Sequence, residues 1–284
     1  MNARGQKWPS RVTPLLVGTL MAGILCLGRP AATVQADVIT LTHQNSTVEI
    51  DPNSQAGVYK WEVDGTNQLR QHWLWYRIGD ANGQTSLGSL PYTIEDQLSR
   101  SIVLQFTDPG GRFTLEISYQ LAGGQAGSLV SGLTEGIKVN NTSGSTLDLH
   151  LFEYANFDLS GDPNGDTATM KNSNTVDQTK LSTTWLCEAS VTGQSVSHYE
   201  AALYPTTLNR LNSGSPIALL DSNQAGPGDA TWAIEWDVDL GPSGSLILSK
   251  AMTISPAPEP GTVALLALGA VGVLCRRRRA RARE

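Results

Sequence analysis

A strict alternation of apolar and polar residues, interrupted at short intervals by turn-forming residues, most constrains how this chain can fold. In residues 112–118 the order Arg-Phe-Thr-Leu-Glu-Ile-Ser places Phe113, Leu115 and Ile117 on one face of an extended segment. Because successive side chains of a strand point to opposite faces, this pattern predicts a strand with one buried face. The longest helical pattern between residues 37 and 255 is a single turn predicted at residues 94–98.

Ten segments share this strand-like character, being rich in β-branched and aromatic residues. We predict strands at residues 38–42, 57–63, 72–79, 101–107, 112–121, 137–140, 146–154, 196–203, 231–240 and 245–254. They predict an all-β fold, an antiparallel β-sandwich of roughly ten strands over residues 37–254. Residues 137–140 and 146–154 are expected to form a hairpin. The long polar stretch 159–184 is expected to be either a functional loop or a flexible insertion. Cys187 is the only cysteine of this region, so its core is expected to hold without an internal disulfide.

The C-terminal end combines three unlike segments. Pro258, Glu259 and Pro260 close a proline-rich linker, residues 255–260, which we expect to stay outside any sheet. The apolar segment 261–275 predicts a short transmembrane helix, whose uncharged 13 residues 263–275 would cover about 20 Å of a roughly 30 Å bilayer core. Residues 276–284 form a basic tail, predicted to be a cytoplasmic anchor, that holds Arg276, Arg277, Arg278 and Arg279. The region 37–254 is then expected on the opposite side of the membrane.

The N-terminal end has the pattern of a secretory signal peptide. Arg4, Lys7 and Arg11 precede an apolar run at residues 15–27, and small residues follow as far as Ala36. We predict a signal peptide over residues 1–36 that signal peptidase cleaves after Ala36, with an uncleaved anchor as the alternative.

The layout of the C-terminal end resembles the PEP-CTERM sorting signal of exopolysaccharide-producing bacteria, a tail also described as an ice-binding-protein C-terminal domain. The resemblance rests on Pro258, Glu259 and Pro260, on the apolar segment after them and on the terminal arginines. It implies membrane insertion, recognition of the Pro-Glu-Pro motif by an exosortase, removal of the tail and release to the cell surface or matrix. It says where the chain goes, and nothing about what the folded region does.

The charge of the region between the two ends limits its partners. Residues 37–257 hold 10 basic and 24 acidic residues, a net charge of −14. Such a charge argues against nucleic acid and anionic lipid as partners. Divalent cations and neutral or cationic glycans stay compatible with it, as does an acidic surface without a ligand.

A loop with alternating oxygen-bearing side chains is the candidate metal site. Asp162, Asn164 and Asp166 have the spacing that Ca²⁺ ligands take on a tight turn. Thr167 stands where a calcium loop has its turn glycine, and Ser173 where it has its bidentate glutamate. The alternative is an Asx turn in a surface loop, which needs no metal.

Two neighbouring tryptophans are the candidate glycan platform. Trp73 and Trp75 share one strand face, and indole rings stack on sugar rings, while Leu74 and Tyr76 line the other face. The alternative is a central sandwich strand that is buried on both faces.

An acidic strand offers paired carboxylates. Glu235, Asp237 and Asp239 share a face, and carboxylates a few ångströms apart carry out glycoside hydrolysis. The alternative places the apolar residues of this strand (Trp232, Ile234 and Trp236) in the core and the acidic ones in water.

No hydrolase, zinc-protease or phosphate-loop motif occurs in the sequence. We therefore expect a non-enzymatic exported protein without a resident cofactor, with a structural or adhesive role linked to exopolysaccharide. The alternatives are an extracellular glycan-active enzyme that uses Glu235 and Asp237, and a calcium-dependent carbohydrate-binding module.

Overall fold

The computed structural model describes residues 38–180 and 185–256. The expected signal peptide (1–36), the Pro258–Pro260 motif, the apolar segment 261–275 and the arginine tail 276–284 lie outside these residues. Within the described ranges, no helix is both long and apolar enough to cross a membrane.

Strands make up most of the described chain, together with one short helix and two 3-10 turns. The strands are β1 (Ile39–His43), β2 (Ser46–Asp51), β3 (Gly57–Val63), β4 (Thr66–Asn67), β5 (Leu69–Ile78), β6 (Thr85–Ser86), β7 (Tyr92–Leu98), β8 (Ser101–Thr107), β9 (Phe113–Gly123), β10 (Ser131–Asn141), β11 (Leu147–Phe157), β12 (Asp166–Asn172), β13 (Thr175–Lys180), β14 (Trp185–Gly193), β15 (His198–Leu203), β16 (Gln224–Gly228), β17 (Ala230–Leu240) and β18 (Ser245–Pro256). The helix α1 spans Thr206–Leu211, and the 3-10 turns span Leu87–Ser89 and Leu159–Gly161.

The strands form two nine-stranded sheets. Sheet A has the order β1-β2-β3-β5-β11-β17-β15, with β4 beside β3 and β6 beside β5. Sheet B has the order β16-β12-β13-β14-β18-β10-β9-β8-β7. Between the strands of the described residues all pairings are antiparallel except a short parallel contact between β3 and β5, and Glu200 of β15 forms an isolated parallel bridge with Ser222. The predicted all-β fold is confirmed, with more strands than the ten expected.

Aromatic side chains fill the space between the sheets. Phe113, Leu115 and Ile117 are fully buried, as the alternation of β9 predicts. Tyr76 of sheet A packs edge-on against Phe113 of sheet B, with ring centroids 5.1 Å apart. Tyr76 therefore faces sheet B, and its neighbours in β5, Trp75 and Arg77, point to the opposite, outer face of sheet A.

A buried ionic cluster joins the two sheets. His72 and Glu153 come from sheet A, Glu135 and Lys250 from sheet B, and none of the four side chains is more than 2% exposed. Lys250 Nζ lies 2.7 Å from Glu135 Oε2 and also contacts Glu153 Oε1. Burial, followed by the charge of Lys250, lowers the pKa of His72 to about 3. Burial raises the pKa of Glu135, but the charges of Lys250 and then His72 outweigh it, so that this pKa falls below its usual value.

Three local predictions are wrong because strand pairing, which the local sequence pattern does not reveal, decides these segments. Residues 94–98 belong to strand β7, which pairs with β8, and not to a helical turn. The polar stretch 159–184 contains the paired strands β12 and β13, in which alternate residues are buried on the core side. Residues 255–256 continue β18, where they pair with residues 185–186, so the linker begins later than expected.

The predicted hairpin of residues 137–140 and 146–154 is also wrong. Strand β10 belongs to sheet B and β11 to sheet A, so the connection crosses between the sheets. Asn141 holds this crossing, since its side-chain amide donates to the carbonyl oxygens of Ser145 and Leu240 at 2.8 Å each.

Candidate functional site

Four neighbouring strands of sheet A bring polar side chains together on its outer face. In the strand register Arg77 of β5 lies opposite His150 of β11, and His150 lies opposite Asp237 of β17. His198 of β15 lies opposite Glu235 of β17. Because registered partners of antiparallel strands share a face, these five side chains form one patch. We call it the outer patch.

The centre of the outer patch is a histidine between two carboxylates. His150 Nδ1 hydrogen-bonds with Asp237 Oδ1, and the ligand atoms of His150, Glu235 and Asp237 all lie within 4.8 Å of one another. Glu235 is fully buried, and its Oε2 accepts a 2.7 Å hydrogen bond from the Leu219 backbone N–H. Its Oε1 has no hydrogen-bond partner. Burial raises the pKa of Glu235 to about 7, against the Leu219 N–H and with the help of the Asp237 charge.

Further charged groups surround this centre. His198 Nε2 lies 4.0 Å from Asp237 Oδ2, while its Nδ1 lies 3.0 Å from Asp221 Oδ2. The hydrogen bond with Asp221 raises the pKa of His198. On the other side, His150 Nε2 lies 3.3 Å from Asp148 Oδ1 and 3.7 Å from Asp80 Oδ1. The side chains around the two histidines of the outer patch are therefore mainly acidic.

The segment 212–221, which follows α1, covers part of the outer patch. Asn212 Oδ1 accepts a 3.1 Å hydrogen bond from Trp75 Nε1, and the Ile217 N–H donates to Gln84 Oε1 at 3.1 Å. Arg77 donates to the Ile217 carbonyl at 3.4 Å and to Asp80. Beside Arg77 opens a cleft of about 210 Å³. A separate cleft of about 290 Å³ lies on sheet B and is lined by Ser101, Ser118, Thr134 and Ser249, among others.

The tryptophans of the candidate glycan platform lie inside the protein. Trp73 and Trp75 are both fully buried, Trp73 edge-on to Phe106 at 5.9 Å and Trp75 edge-on to Tyr154 at 6.1 Å between centroids. Their ring faces are thus covered by protein, as the core-packing alternative expects, and are not available to stack on a sugar.

The candidate calcium loop forms an Asx turn. Asp162 Oδ1 accepts hydrogen bonds of 3.0 Å from both the backbone N–H and the side-chain amide of Asn164. Lys180 Nζ lies 3.2 Å from Asp162 Oδ2 and 3.9 Å from Asp166 Oδ1, so an ammonium group already faces these carboxylates. Burial raises the pKa of Asp166 to about 7. Calcium at this loop stays a prediction.

The acidic strand β17 agrees only in part with the expectation that its apolar residues lie in the core and its acidic residues in water. Trp232, Ile234 and Trp236 are fully buried, as expected. Glu235 is buried too, which contradicts its expected contact with water, because the segment 212–221 covers it. Asp237 is one-third exposed, and Asp239 is exposed at the end of the strand.

Sequence reasoning missed three of the five patch residues. His150, His198 and Arg77 are isolated in the sequence and have no ligand spacing. Only the strand order β5-β11-β17-β15 makes them neighbours of Glu235 and Asp237. No signal in the sequence encodes that order.

The two-sheet architecture is similar to that of several solved structures. It is similar to a bacterial glucoamylase solved with acarbose, with a TM-score of 0.56 and 11% identity over 84% of this chain. This chain spans only 36% of the glucoamylase chain. A galactose mutarotase related enzyme from Lactobacillus acidophilus has a TM-score of 0.51 at 10% identity, over 78% of this chain and 99% of that one. A galactose mutarotase/aldose epimerase homologue from C. elegans has a TM-score of 0.53 at 10% identity, over 79% of this chain and all of that one (100%). At this identity the likeness shows the fold alone.

The C-terminal end carries a PEP-CTERM protein-sorting motif. The match covers residues 256–279 and so includes Pro258, Glu259 and Pro260. The motif implies export, membrane anchoring before processing, and processing by an exosortase. No curated protein matches this sequence.

Proposed function

We propose that the exported chain is a surface protein that binds saccharide at the outer patch, and that it has a structural or adhesive role in an extracellular matrix that contains exopolysaccharide. The observation that carries the proposal is the row formed by Arg77, His150 and Asp237 on one sheet face. Arg77 Nε, His150 Nε2 and Glu235 Oε1 are buried polar atoms without a hydrogen-bond partner, whereas the Asp237 side chain beside them is one-third exposed.

Sugar hydroxyl groups both donate and accept hydrogen bonds. Carboxylate oxygens such as those of Asp237 accept from hydroxyls, and the guanidinium N–H groups of Arg77 donate to them. With Nδ1 of a neutral His150 donating to Asp237, its Nε2 accepts a hydrogen bond from a hydroxyl. Polar groups that converge beside a cleft are the usual means by which a pocket orients a small ligand. The cleft of about 210 Å³ has Arg77 as the one patch residue in its lining, beside Tyr76, Asn82 and Arg112, and so provides room for a sugar unit at the Arg77 end of the patch.

The fold supports the saccharide part of the proposal, and the sorting motif supports export. Several similar folds belong to proteins whose names or bound compounds are sugar-related. The motif implies export of the chain, which is what a protein that binds extracellular saccharide requires. The strongly acidic region favours neutral or cationic glycans over anionic ones, because like charges repel.

A glycan array tests the proposal. The full-length chain, purified in detergent, is applied as the native protein, as Asp237→Asn and as Asp177→Asn. The last is a matched control, since Asp177 lies on sheet B and pairs with Lys171 at 2.9 Å. We expect the native protein and the control to bind one class of sugar, and Asp237→Asn to lose that signal. Silence of the native protein on all glycans, or equal signals from all three, contradicts the proposal.

Glycan-active catalysis is the second candidate, and it is favoured by the pairing of Glu235 and Asp237 beside His150. The ligand atoms of the two carboxylates lie within 4.8 Å. Inverting glycosidases need about 6.5–9.5 Å between their carboxyl groups, so this spacing argues against an inverting mechanism. Measurement of β-glucan hydrolysis by the native protein and by Glu235→Gln tests this candidate. Activity that Glu235→Gln retains excludes Glu235 as its catalyst.

A further inference from the structure

The outer patch brings together three side chains that can ligate a metal ion, and Glu235 Oε1 among them has no hydrogen-bond partner. We propose that His150, Glu235 and Asp237 bind a divalent transition metal ion, and that Zn²⁺ is the ion their chemistry fits. This inference stands independently of saccharide binding.

The distances are close to those of a zinc site. Zn²⁺ binds nitrogen and oxygen ligands at about 2.0–2.2 Å, which places neighbouring ligand atoms of a tetrahedron roughly 3.4 Å apart. The three ligand atoms of His150, Glu235 and Asp237 lie within 4.8 Å of one another. Small side-chain rotations therefore suffice to close the set around one ion.

A buried and unpartnered oxygen points to the same site. Glu235 is fully buried, and its Oε1 has no hydrogen-bond partner although the Leu219 N–H fixes its Oε2 at 2.7 Å. A buried carboxylate oxygen without a partner is costly, and a cation would satisfy it. Within the described ranges, neither lysine nor arginine forms an ion pair with Glu235 or Asp237.

The ionic cluster between the two sheets differs from the outer patch in the source of its positive charge. Glu135 and Glu153 lie near His72, but Lys250 contacts both carboxylates and supplies the positive charge itself. The outer patch has the same kinds of ligand without an ammonium group among them.

Outer carboxylates are in place to orient the histidines. With His150 Nδ1 turned to the ion, its Nε2 lies 3.3 Å from Asp148 Oδ1. A carboxylate behind a histidine is the arrangement that fixes the ring and strengthens it as a ligand. His198 repeats the arrangement, with Nδ1 3.0 Å from Asp221 Oδ2 and Nε2 4.0 Å from Asp237 Oδ2.

The mixture of ligands selects the metal. The three residues offer one imidazole nitrogen and two carboxylates. Imidazole suits zinc and its neighbours among the transition metals, whereas Ca²⁺ and Mg²⁺ prefer sites made of oxygen alone. We therefore assign the outer patch to a transition metal and not to calcium.

Calorimetry with ZnCl₂ tests this assignment, with no sugar present. The full-length chain is stripped with a chelator, exchanged into chelator-free buffer and titrated as the native protein, His150→Gln, Asp237→Asn and His43→Gln. His43 lies in β1 at the far edge of sheet A and serves as the matched control. We expect binding of Zn²⁺ by the native protein and the control, and a loss of affinity of at least about tenfold in the other two variants.

Two further readouts sharpen the result. Co²⁺ in place of Zn²⁺ should give the intense visible absorption of a four-coordinate site in the native protein, and not in Asp237→Asn. Circular dichroism shows whether each variant folds, and Asp237→Asn decides the matter if His150→Gln does not. No binding of Zn²⁺ by the native protein, unchanged affinity in a folded ligand variant, or tighter binding of Ca²⁺ than of Zn²⁺ would overturn the assignment. Because the titration contains no sugar and the array detects no metal, failure of one proposal is distinguishable from failure of the other, although both tests use Asp237→Asn.

Discussion

Replacement of Lys250 by methionine should be among the most destabilising single changes in this protein. The Lys250 ammonium is 2% exposed and contacts the carboxylates of Glu135 and Glu153, one from each sheet. Removal of one partner from a buried ion pair costs about 3–5 kcal/mol, because the remaining charge stays buried without compensation. Since two carboxylates lose their partner here, we expect the free energy of unfolding to fall by about 5 kcal/mol, a large part of the stability of a typical domain.

Urea unfolding at pH 7, followed by tryptophan fluorescence, measures this loss. Lys60→Met is the matched control, because Lys60 is 31% exposed and pairs with Glu49 at 2.9 Å, and such surface pairs contribute about 1 kcal/mol or less. Addition of Glu135→Gln and Glu153→Gln to Lys250→Met should recover much of the stability, since the unpaired charges are then gone. A fall no larger than that of Lys60→Met would refute the reasoning that the cluster holds the two sheets together.

Three further predictions concern the acid response, a close packing contact and sorting. The pKa of His72 is lowered to about 3, so this buried neutral ring costs no stability by protonation above pH 6.5. As the pH falls from 6.5 toward 3 the unfolded state binds a proton that the folded state does not, and the fold loses about 1.4 kcal/mol per pH unit. His72→Gln should therefore lose stability less steeply between pH 6.5 and 4 in urea titrations, and an equal slope would contradict this. Gly57→Ala should lower the unfolding free energy by about 1–3 kcal/mol, because the added Cβ would lie 2.0 Å from the Trp73 ring. Gly65→Ala is the control: its added Cβ would have no atom within 4 Å, so its unfolding free energy should fall by less in the same assay. Glu259→Ala should keep the protein in the membrane fraction of an exosortase-producing host, and normal release on an immunoblot would argue against recognition of that residue.

Much of the fold follows from local patterns. The alternation of Phe113, Leu115 and Ile117 is sufficient to predict β9 and its buried face. The same pattern fails for residues 166–180, where Gln178 and Lys180 take buried positions that a sequence rule gives to apolar residues. Their pairing with neighbouring strands, and not their own hydrophobicity, makes them strands.

The ionic cluster and the outer patch depend on strand order, which lies beyond local patterns. Glu235 and Asp237 are recognisable because they are two residues apart on one strand. His150 becomes their neighbour only through the pairing of β11 with β17, across 87 positions of sequence. His72 and Lys250 likewise meet across 178 positions. Such contacts are set when the sheets pair and pack.

Hydrogen–deuterium exchange of the full-length chain, with and without the saccharide that binds it, tests the central claim most directly. If the outer patch is the binding surface, exchange should slow in the loop 79–84 and in the segment 212–221, whose Leu219 N–H bonds to Glu235. The strands that line the sheet B cleft, β8 to β10, should exchange as before. Protection confined to that cleft, around Ser101, Ser118 and Thr134, would contradict the account and place the saccharide on the other sheet.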